Sequence, residues 1–340
     1  MKKSVLIAGI GGASLGTEIF KSLRQAGKYS IFGTDISSYA FGLYQEGFTR
    51  TYVVDQEDYV QNLIRICLKE RIDAVIPGGE EPLKLCNLHR DLLQRNSILL
   101  AANSSKVIAL CVDKAKTFEF LANNEVPVPK TMRFSSEDEL DDFNFPCVIK
   151  PSTGSGGSTF VHLAEDREEA ALYISYLRKK GKQTIVQEYV PQGQGEYTVG
   201  VLSLTDGSVF GSIALRRLFN SKLSYLLKYQ DRVISSGYSQ GLIEDFKEVR
   251  SQAEKIALRL DSRGPLNVQG RLVNGTFYPF EINPRFSATA YIRTMAGFNE
   301  VDMFLQHLFG RETQAPSEMR YGYYFRSLDE VYVPHSEIKS

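Results

Sequence analysis

The chain has 340 residues, of which 43% are hydrophobic and 24% are charged. This is the composition of a folded globular protein with room for more than one core, so an intrinsically disordered chain is excluded. The 40 basic and 40 acidic residues leave no net charge. We therefore expect no nucleic-acid partner and no membrane partner, and any anion site must be built locally.

The opening stretch KKSVLIAGIGG joins two basic residues to an apolar run that soon ends at glycines. The run is too short for a signal-peptide core or a membrane span, so we expect a cytoplasmic protein. The four cysteines occur singly within apolar segments, which predicts buried free thiols rather than a zinc site. None of the four histidines lies in a motif typical of a catalytic triad.

Residues 1–103 alternate short apolar strands with amphipathic helices, which predicts a Rossmann-like parallel sheet with helical crossovers. Residues 104–130 predict a helical linker, ended by two prolines. Residues 131–190 predict a small α+β module in which a glycine loop joins two strands. The fold class expected for the chain is thus α/β and α+β in separate parts.

Residues 191–310 predict a C-terminal subdomain with a mixed or antiparallel sheet. A strand pair turns at Asp206 and Gly207, a helix follows over 242–260, and a second strand pair turns at Asn274 and Gly275. The tail, residues 311–340, is aromatic and strand-like, and its role cannot be inferred from the pattern.

The first glycine cluster, Gly9 to Gly16, lies between the first strand and the first helix. A dinucleotide-binding turn would be found there, and Asp35 after the second strand suits a ribose contact. The spacing departs from GxGxxG, and a tight strand-to-helix turn needs glycine in any case, so we favour the structural explanation. The PGGEE stretch at 77–81 follows a later parallel strand, which makes the same sheet edge a plausible substrate site.

The second glycine cluster follows Lys150 and Pro151 and leads directly into another strand. Because it does not open a helix, it is not a Walker loop. Its backbone N–H groups and hydroxyls could bind a triphosphate beneath a lid, with Lys150 as a point cation. A mobile hairpin beside a solvated lysine would give the same pattern, so both interpretations stay open. The cluster consists of Thr153, Gly154, Ser155, Gly156, Gly157 and Ser158.

Six ordered motifs carry a family resemblance: VDKAKT, CVIKPSTGSGG, VQEYV, GEYTV, NVQ and FEINPR. Together they resemble the ATP-grasp enzymes, and especially the synthetase halves of carbamoyl phosphate synthetase and the carboxylate-amine ligases. The resemblance covers the chain to about residue 310. It implies an ATP-grasp fold with a Rossmann-like domain, a lid subdomain and a C-terminal sheet subdomain, and a homodimer is possible because members commonly dimerise.

The resemblance also implies the nucleotide contacts. Lys114 and Lys150 would hold the α- and β-phosphates under the glycine loop. Glu188 would accept from the adenine amino group, and Glu196 would bind the ribose hydroxyls. The segment implied to surround the adenine edge consists of Gln187, Glu188, Tyr189 and Val190.

Magnesium, or manganese, requires oxygen ligands, and Gln269, Glu281 and Asn283 supply them. Glu281 and Asn283 share one face of a strand, but Gln269 joins them only if the hairpin register places it opposite Glu281. A plain two-residue turn at Asn274 and Gly275 would place it on the wrong face. We therefore predict a three-residue loop with a bulge, or an equivalent bulge near Pro279.

The expected activity is that of an ATP-dependent ligase that activates a small-molecule carboxylate as an acyl phosphate and couples it to an amine. Arg285 is the candidate for stabilising charge during transfer, and Lys228, with Arg232, is a second candidate from a segment that reads as loop. Bicarbonate activation is an alternative, as is a non-catalytic nucleotide-binding regulatory protein. A single ATP-grasp unit argues against carbamoyl phosphate synthesis itself.

Overall fold

The N-terminal part of the chain forms a five-stranded sheet flanked by helices. The computed structural model describes residues 2–12, 15–154, 159–229 and 231–339. The elements of this part are β1 (Lys3–Ala8), α1 (Leu15–Ala26), β2 (Tyr29–Asp35), β3 (Arg50–Val53), α2 (Tyr59–Glu70), β4 (Ala74–Pro77), α3 (Glu80–Leu88), α4 (Arg90–Arg95) and β5 (Leu99–Leu100). The strand order is β3-β2-β1-β4-β5 and neighbouring pairs are parallel, which confirms the predicted α/β arrangement.

Alternation along β1 divides the apolar residues between the two faces of this sheet. Val5 and Ile7 belong to the core that also holds α1, whereas Leu6 and Ala8 belong to the core on the α2 side. All four side chains are fully buried. A continuous apolar run therefore forms a strand covered on both faces, as expected for a parallel sheet.

The linker contains two helices where the pattern predicted a single stretch: α5 (Ser105–Val112) and α6 (Lys114–Asn123). Asp113 between them has extended backbone, and its carboxylate accepts hydrogen bonds from the N–H groups of Ala115 and Lys116. This aspartate ends one helix and caps the next, a role that its position inside a helical pattern did not reveal.

The α+β module contains β6 (Thr131–Arg133), β7 (Cys147–Pro151), β8 (His162–Ala164), α7 (Arg167–Lys179) and β9 (Thr184–Glu188). Its antiparallel strands lie in the order β6-β9-β7-β8, and one side packs on α7. Asp166 caps α7 by accepting from the N–H of Glu169 at 2.9 Å. The module has its own apolar core.

The C-terminal part is built on a six-stranded sheet with a separate hairpin. Its elements are β10 (Glu196–Ser203), β11 (Val209–Arg217), β12 (Tyr225–Tyr229), β13 (Arg232–Ser235), β14 (Gly241–Ile243), α8 (Lys247–Arg259), β15 (Pro265–Val273), β16 (Thr276–Asn283), α9 (Ala290–Met295), α10 (Glu300–Leu308) and β17 (Gly322–Tyr324). The order is β16-β15-β10-β11-β14-β17, with antiparallel neighbours.

Two boundaries differ from the prediction. The helix predicted over 242–260 begins only at Lys247, because residues 241–243 form β14 and pair with both β11 and β17. The stretch with Lys228 and Arg232, expected as loop, contributes instead to the β12–β13 hairpin, where Lys228 pairs with Val233 and Tyr229 with Arg232. In both places local composition was overruled by strand pairing across the sheet.

The two faces of the C-terminal sheet differ in chemistry. One face, which includes Val199 and Val268, packs on α8. The opposite face carries alternating polar residues from β10 and β15, among them Thr198, Asn267 and Gln269. The strand period of two thus separates a core face from a polar face that forms the base of the candidate site.

The tail runs from β17 back over the parallel sheet. Arg326 Nη2 lies 2.6 Å from Glu18 Oε2 on α1, and the Lys339 N–H donates to the Tyr44 hydroxyl at 3.0 Å. The tail therefore connects the C-terminal sheet to the N-terminal part. Across the described residues, no helix combines the length and the apolar character needed to cross a membrane.

Candidate active site

A cavity lies between the α+β module, the β12–β13 hairpin and the polar face of the C-terminal sheet. We call it the apolar cavity because Val148, Val161, Val190, Val233 and Ile234 supply aliphatic walls. Polar side chains converge on the rest of its lining: Lys114, Lys150, Gln187, Glu188, Ser235, Arg271 and Glu281.

The strand end of β9 supplies the polar edge of the apolar cavity. Glu188 Oε2 accepts from the Lys130 N–H at 3.1 Å, and the Tyr189 hydroxyl accepts from the Val233 N–H at 2.9 Å. The Val190 carbonyl accepts from Arg271 Nη1. The segment predicted to meet an adenine edge is thus held in place beside the aliphatic walls.

Lys150 reaches the floor of the apolar cavity from β7. Its ammonium donates to Gln187 Oε1 at 2.8 Å and to the Phe280 carbonyl at 3.0 Å. Burial lowers the pKa of Lys150 to about 7, with the nearby charge of Lys114 acting in the same direction and Glu281 opposing it. A solvated lysine beside a hairpin, the open alternative, does not describe a side chain that is 5% exposed.

Lys114 begins α6 and is fixed by the loop that follows β7. Its N–H donates to the Ser152 carbonyl at 2.9 Å, and the Ser152 hydroxyl donates to Asp113 Oδ1 at 2.6 Å. The structure therefore brings Lys114 and Lys150, 36 positions apart in sequence by their numbers, to one cavity.

The register of β15 and β16 is the one that shared coordination requires. Gln269 lies opposite Glu281, and Gln269 Nε2 donates to Glu281 Oε2 at 2.9 Å. The predicted three-residue loop is wrong, because Val273 pairs with Thr276 across the two residues Asn274 and Gly275.

The equivalent bulge named as the other possibility is present instead. The pairing passes from Gln269–Glu281 to Gly270–Pro279, so Phe280 is the extra residue. The bulge lies next to Pro279, which cannot donate a ladder hydrogen bond and therefore tolerates irregular pairing. Both Asn274 and Gly275 have positive φ, which allows the tight turn that the prediction had rejected.

A second cavity, with about 430 Å³ of empty space, adjoins the first and shares Lys114 with it. We call it the cationic cavity because Lys84, Lys114 and Arg285 line it, against the single carboxylate of Glu80. Arg285 Nη2 lies 3.6 Å from Glu80 Oε1, and Arg285 Nε is buried without a hydrogen-bond partner among the described residues. Asn283 also lines this cavity.

The ribose role implied for Glu196 does not fit the structure. Its side chain has no exposed surface, and its carboxylate is paired with Arg271 at 2.8 Å and with Arg217 at 3.3 Å. Glu196 lies on the polar face of β10, where burial between two arginines consumes its acceptor capacity. Arg271, rather than Glu196, borders the apolar cavity.

Lys228 is not brought to either cavity. It lies on exposed β12, where its ammonium donates to the Phe219 carbonyl at 3.2 Å. Its neighbour Arg232 pairs with Glu165 of the α+β module. The prediction required a loop long enough to bring Lys228 to the phosphates, whereas strand pairing holds this segment in a surface hairpin.

The glycine loop is described only in part. Thr153 and Gly154 are exposed, and Gly154 borders the cationic cavity with φ +66°. Ser155, Gly156, Gly157 and Ser158 lie outside the described residues.

The first glycine cluster has a structural explanation. A Cβ on Gly16 would lie 1.9 Å from the Gly9 carbonyl oxygen, and one on Gly78 would lie 2.0 Å from the same atom. The Asp35 carboxylate accepts from the Ile10 N–H at 2.9 Å. Close packing of two loops therefore accounts for these glycines without a dinucleotide.

Sequence reasoning missed Arg271. This residue continues the alternation Asn267, Gln269, so the period of two could have found it. The PGGEE stretch and the bulge near Pro279 were named, but Glu80 and Phe280 within them were not singled out. The contact of Glu80 with Arg285 depends on tertiary packing, which the sequence pattern does not indicate.

A family model described as an ATP-grasp domain matches residues 111–289. The carbamoyl phosphate synthase large chain of Clostridium beijerinckii is 26% identical over 278 residues, which is 77% of this chain but 24% of that protein. The chain therefore spans about a quarter of the length of that curated relative.

Solved structures share the fold at low identity. The biotin carboxylase domain of Hydrogenobacter thermophilus 2-oxoglutarate carboxylase matches with TM-score 0.70 at 19% identity, over 95% of this chain and 73% of that chain. An L-amino acid ligase from Bacillus licheniformis matches with TM-score 0.65 at 18% identity, over 90% and 73%. Because the family model matches more than half of the residues of this chain, the chain belongs to the ATP-grasp family.

Proposed function

We propose that this protein uses MgATP to phosphorylate a small carboxylic acid and then joins the acyl group to an amine. The observation that carries the proposal is the junction of the two cavities. Lys114 lines both, Glu281 lines the apolar cavity, and Asn283 lines the cationic cavity. A triphosphate running from the aliphatic walls toward Arg285 would pass over β16.

In this proposal, the apolar cavity holds the nucleoside. Glu188 and the backbone of Tyr189 and Val190 would meet the base edge, while Lys114 and Lys150 would hold the phosphates. Because Glu196 is already paired, we do not assign it to the ribose.

The metal ligands proposed are the side chains of Gln269, Glu281 and Asn283. Their oxygens suit Mg²⁺. The hydrogen bond from Gln269 Nε2 to Glu281 Oε2 supports the assignment, because it brings two of the three side chains together. Three protein groups supply only part of an octahedron, which fits an ion shared with phosphate oxygens. When bound, Mg²⁺ would neutralise the charge that develops on the phosphates.

The cationic cavity would hold the acid. Its carboxylate oxygen attacks the γ-phosphorus, the bond from phosphorus to the ADP oxygen breaks, and ADP leaves. The amine nitrogen then attacks the acyl carbon, the bond from carbon to the phosphate oxygen breaks, and phosphate leaves as the nitrogen loses a proton. Arg285, which lines the cationic cavity, would stabilise negative charge in both steps. Because the substrates attack each other directly, the mechanism needs no protein nucleophile.

The test is Glu281→Ala, with Glu119→Ala on exposed α6 as the matched control. With candidate acids and amines supplied as pairs, we expect ADP release to fall at least a hundredfold in Glu281→Ala and to stay unchanged in the control, on the order expected for a lost phosphoryl-transfer ligand. Circular dichroism and thermal unfolding should show both variants folded. Full activity in Glu281→Ala would defeat the metal assignment.

Bicarbonate activation is the second candidate, because the cationic cavity is small and the Hydrogenobacter biotin carboxylase domain was solved in complex with MgADP and bicarbonate. ADP release that requires bicarbonate and no other acid would favour it. No ADP release with any acid, despite measurable ADP binding, would favour a non-catalytic nucleotide-binding protein.

A further inference from the structure

We propose that a third cavity, beneath the C-terminal tail, binds a free α-amino acid with an apolar side chain. In taking that amino acid as the amine substrate, the inference rests on the function proposed above. The cavity lies between α1, the loop after β13 and the tail. We call it the tail cavity, and its argument uses Glu18, Lys21, Phe41, Tyr238, Arg326 and Asp329.

Charges of alternating sign line one side of the tail cavity. Arg326 Nη2 lies 2.6 Å from Glu18 Oε2, Glu18 Oε1 lies 3.5 Å from Lys21 Nζ, and Lys21 Nζ lies 3.8 Å from Asp329 Oδ2. A ligand with one charge would meet repulsion as well as attraction there. A zwitterion can place its carboxylate against Arg326 or Lys21 and its ammonium against Glu18 or Asp329.

The inner pair is buried and the outer pair is not. The side chains of Glu18 and Arg326 are 8% and 10% exposed, whereas Asp329 is 63% exposed. A buried ion pair is a poor source of stability, because apolar residues of similar size would hold the tail as well. Unlike Glu196, whose side chain has no exposed surface, Glu18 and Arg326 both keep some exposed surface and line the tail cavity, so a charged ligand could exchange partners with them.

Aromatic side chains give the tail cavity an apolar wall in addition to its charged side. Phe41 and Tyr238 line the tail cavity, and the Arg326 guanidinium lies 5.2 Å from the Tyr238 ring centroid. The Tyr238 hydroxyl donates to the Ser327 carbonyl at 2.6 Å, which fixes both the ring and the tail. An aliphatic or aromatic side chain fits this surface.

Backbone contacts link the segments that line the tail cavity to those that line the cationic cavity. Arg326 also donates to the Ala288 carbonyl, three positions beyond Arg285 in the same loop. On the parallel sheet, Gly16 near the tail cavity contacts Gly78, which lies two positions before Glu80 of the cationic cavity. The two cavities therefore share one sheet edge, where an amine and an acyl group could meet.

The test measures ligand binding to the full chain by calorimetry and by the shift in Tm. The probes are L-phenylalanine, L-leucine and L-alanine, together with 2-phenylethylamine and 3-phenylpropionate, which each lack one charge. We expect L-phenylalanine or L-leucine to bind at least tenfold more tightly than either singly charged analogue. In Glu18→Gln and Arg326→Gln, that amino acid should bind at least tenfold more weakly, while Glu312→Gln and Arg320→Gln, exposed in the tail, should match wild type.

The pattern of preference separates recognition from a structural role. Glu18→Gln should lose the preference for L-phenylalanine over 3-phenylpropionate, and Arg326→Gln should lose the preference over 2-phenylethylamine. Equally weakened binding of all probes, with the preferences between them unchanged, would overturn the proposal, as would no amino-acid binding by wild type that binds ADP. Amino-acid binding by a protein that fails to bind ADP would support this site while refuting the proposed function.

Discussion

At the scale of single residues, Lys150 shows how burial changes chemistry. A lysine ammonium in water has a pKa near 10.4, but in the apolar cavity burial brings it to about 7. Of the charged groups that act on it, Lys114 disfavours the ammonium and Glu281 favours it. A polyphosphate placed beside Lys150 would also favour the ammonium. The residue is therefore poised to take up a proton when nucleotide binds.

The pH dependence of Lys150 gives a prediction with a definite sign. The pKa of Lys150 is lower in the folded state than in the unfolded state, so burying its ammonium lowers the free energy of unfolding. This loss of stability is full below about pH 7 and disappears as the pH rises toward about pH 10. Lys150→Met should thus raise Tm relative to wild type at about pH 6, and by less at about pH 9.

ADP affinity of wild type should fall as pH rises above about 7, and calorimetry in buffers of different ionisation enthalpy should show proton uptake. Lys150→Met should bind ADP weakly, and its ADP affinity should not fall with rising pH in this way. A pH-independent ADP affinity in wild type would contradict the shifted pKa.

At the scale of elements, the β15–β16 hairpin shows what the pattern could and could not predict. The strands, their antiparallel pairing and the need to bring Gln269 opposite Glu281 followed from period-two alternation and from metal chemistry. The choice between a three-residue loop and a bulge near Pro279 did not follow, because a turn at Asn274 and Gly275 is compatible with more than one register. The bulge at Phe280 also lets Phe277 and Ile282, of opposite parity, face the same core.

Gly270, beside the bulge, tests whether register and activity are linked. A Cβ there would lie 2.5 Å from the Tyr278 carbonyl oxygen, a backbone atom that cannot move without shifting β16. Gly270→Ala should cost about 1–3 kcal/mol of unfolding free energy through overpacking. It should reduce ADP release more than tenfold by displacing Glu281 from Gln269.

Gly211→Ala is the control, since its Cβ would lie 3.3 Å from the Phe298 ring, where a shift of a few tenths of an ångström suffices. Urea unfolding and ADP release should be measured for both variants. A Gly270→Ala protein with wild-type turnover would show that the Gln269–Glu281 contact is not needed for catalysis.

At the scale of the whole molecule, two apolar cores differ in how much of the chain they join. One core joins the parallel sheet to α9 and α10 and includes Ile7 and Phe304. The α+β module has a separate core that includes Ile149 and Ile174. The order of strands and helices along the chain predicted the sheets and the helices that cover them. It did not predict that helices from the end of the C-terminal part would complete the first core, because α1 and α9 are far apart in sequence and meet only in the folded chain. The predicted domain boundaries and the homodimer stay predictions.

Separate cores predict separate unfolding, which hydrogen exchange can detect. Phe304→Ala removes a fully buried ring from the large core and should cost about 3–5 kcal/mol. Because that core spans both the parallel sheet and the C-terminal sheet, amides in β1 and β10 should lose protection together. Ile174→Ala should cost about 2–5 kcal/mol, confined to the α+β module, so that β7 and β9 exchange faster while β1 does not. If Ile174→Ala instead accelerated exchange throughout the chain, the module would not be an independent unit, and it could not close over a nucleotide as a lid without disturbing the sheet beneath it.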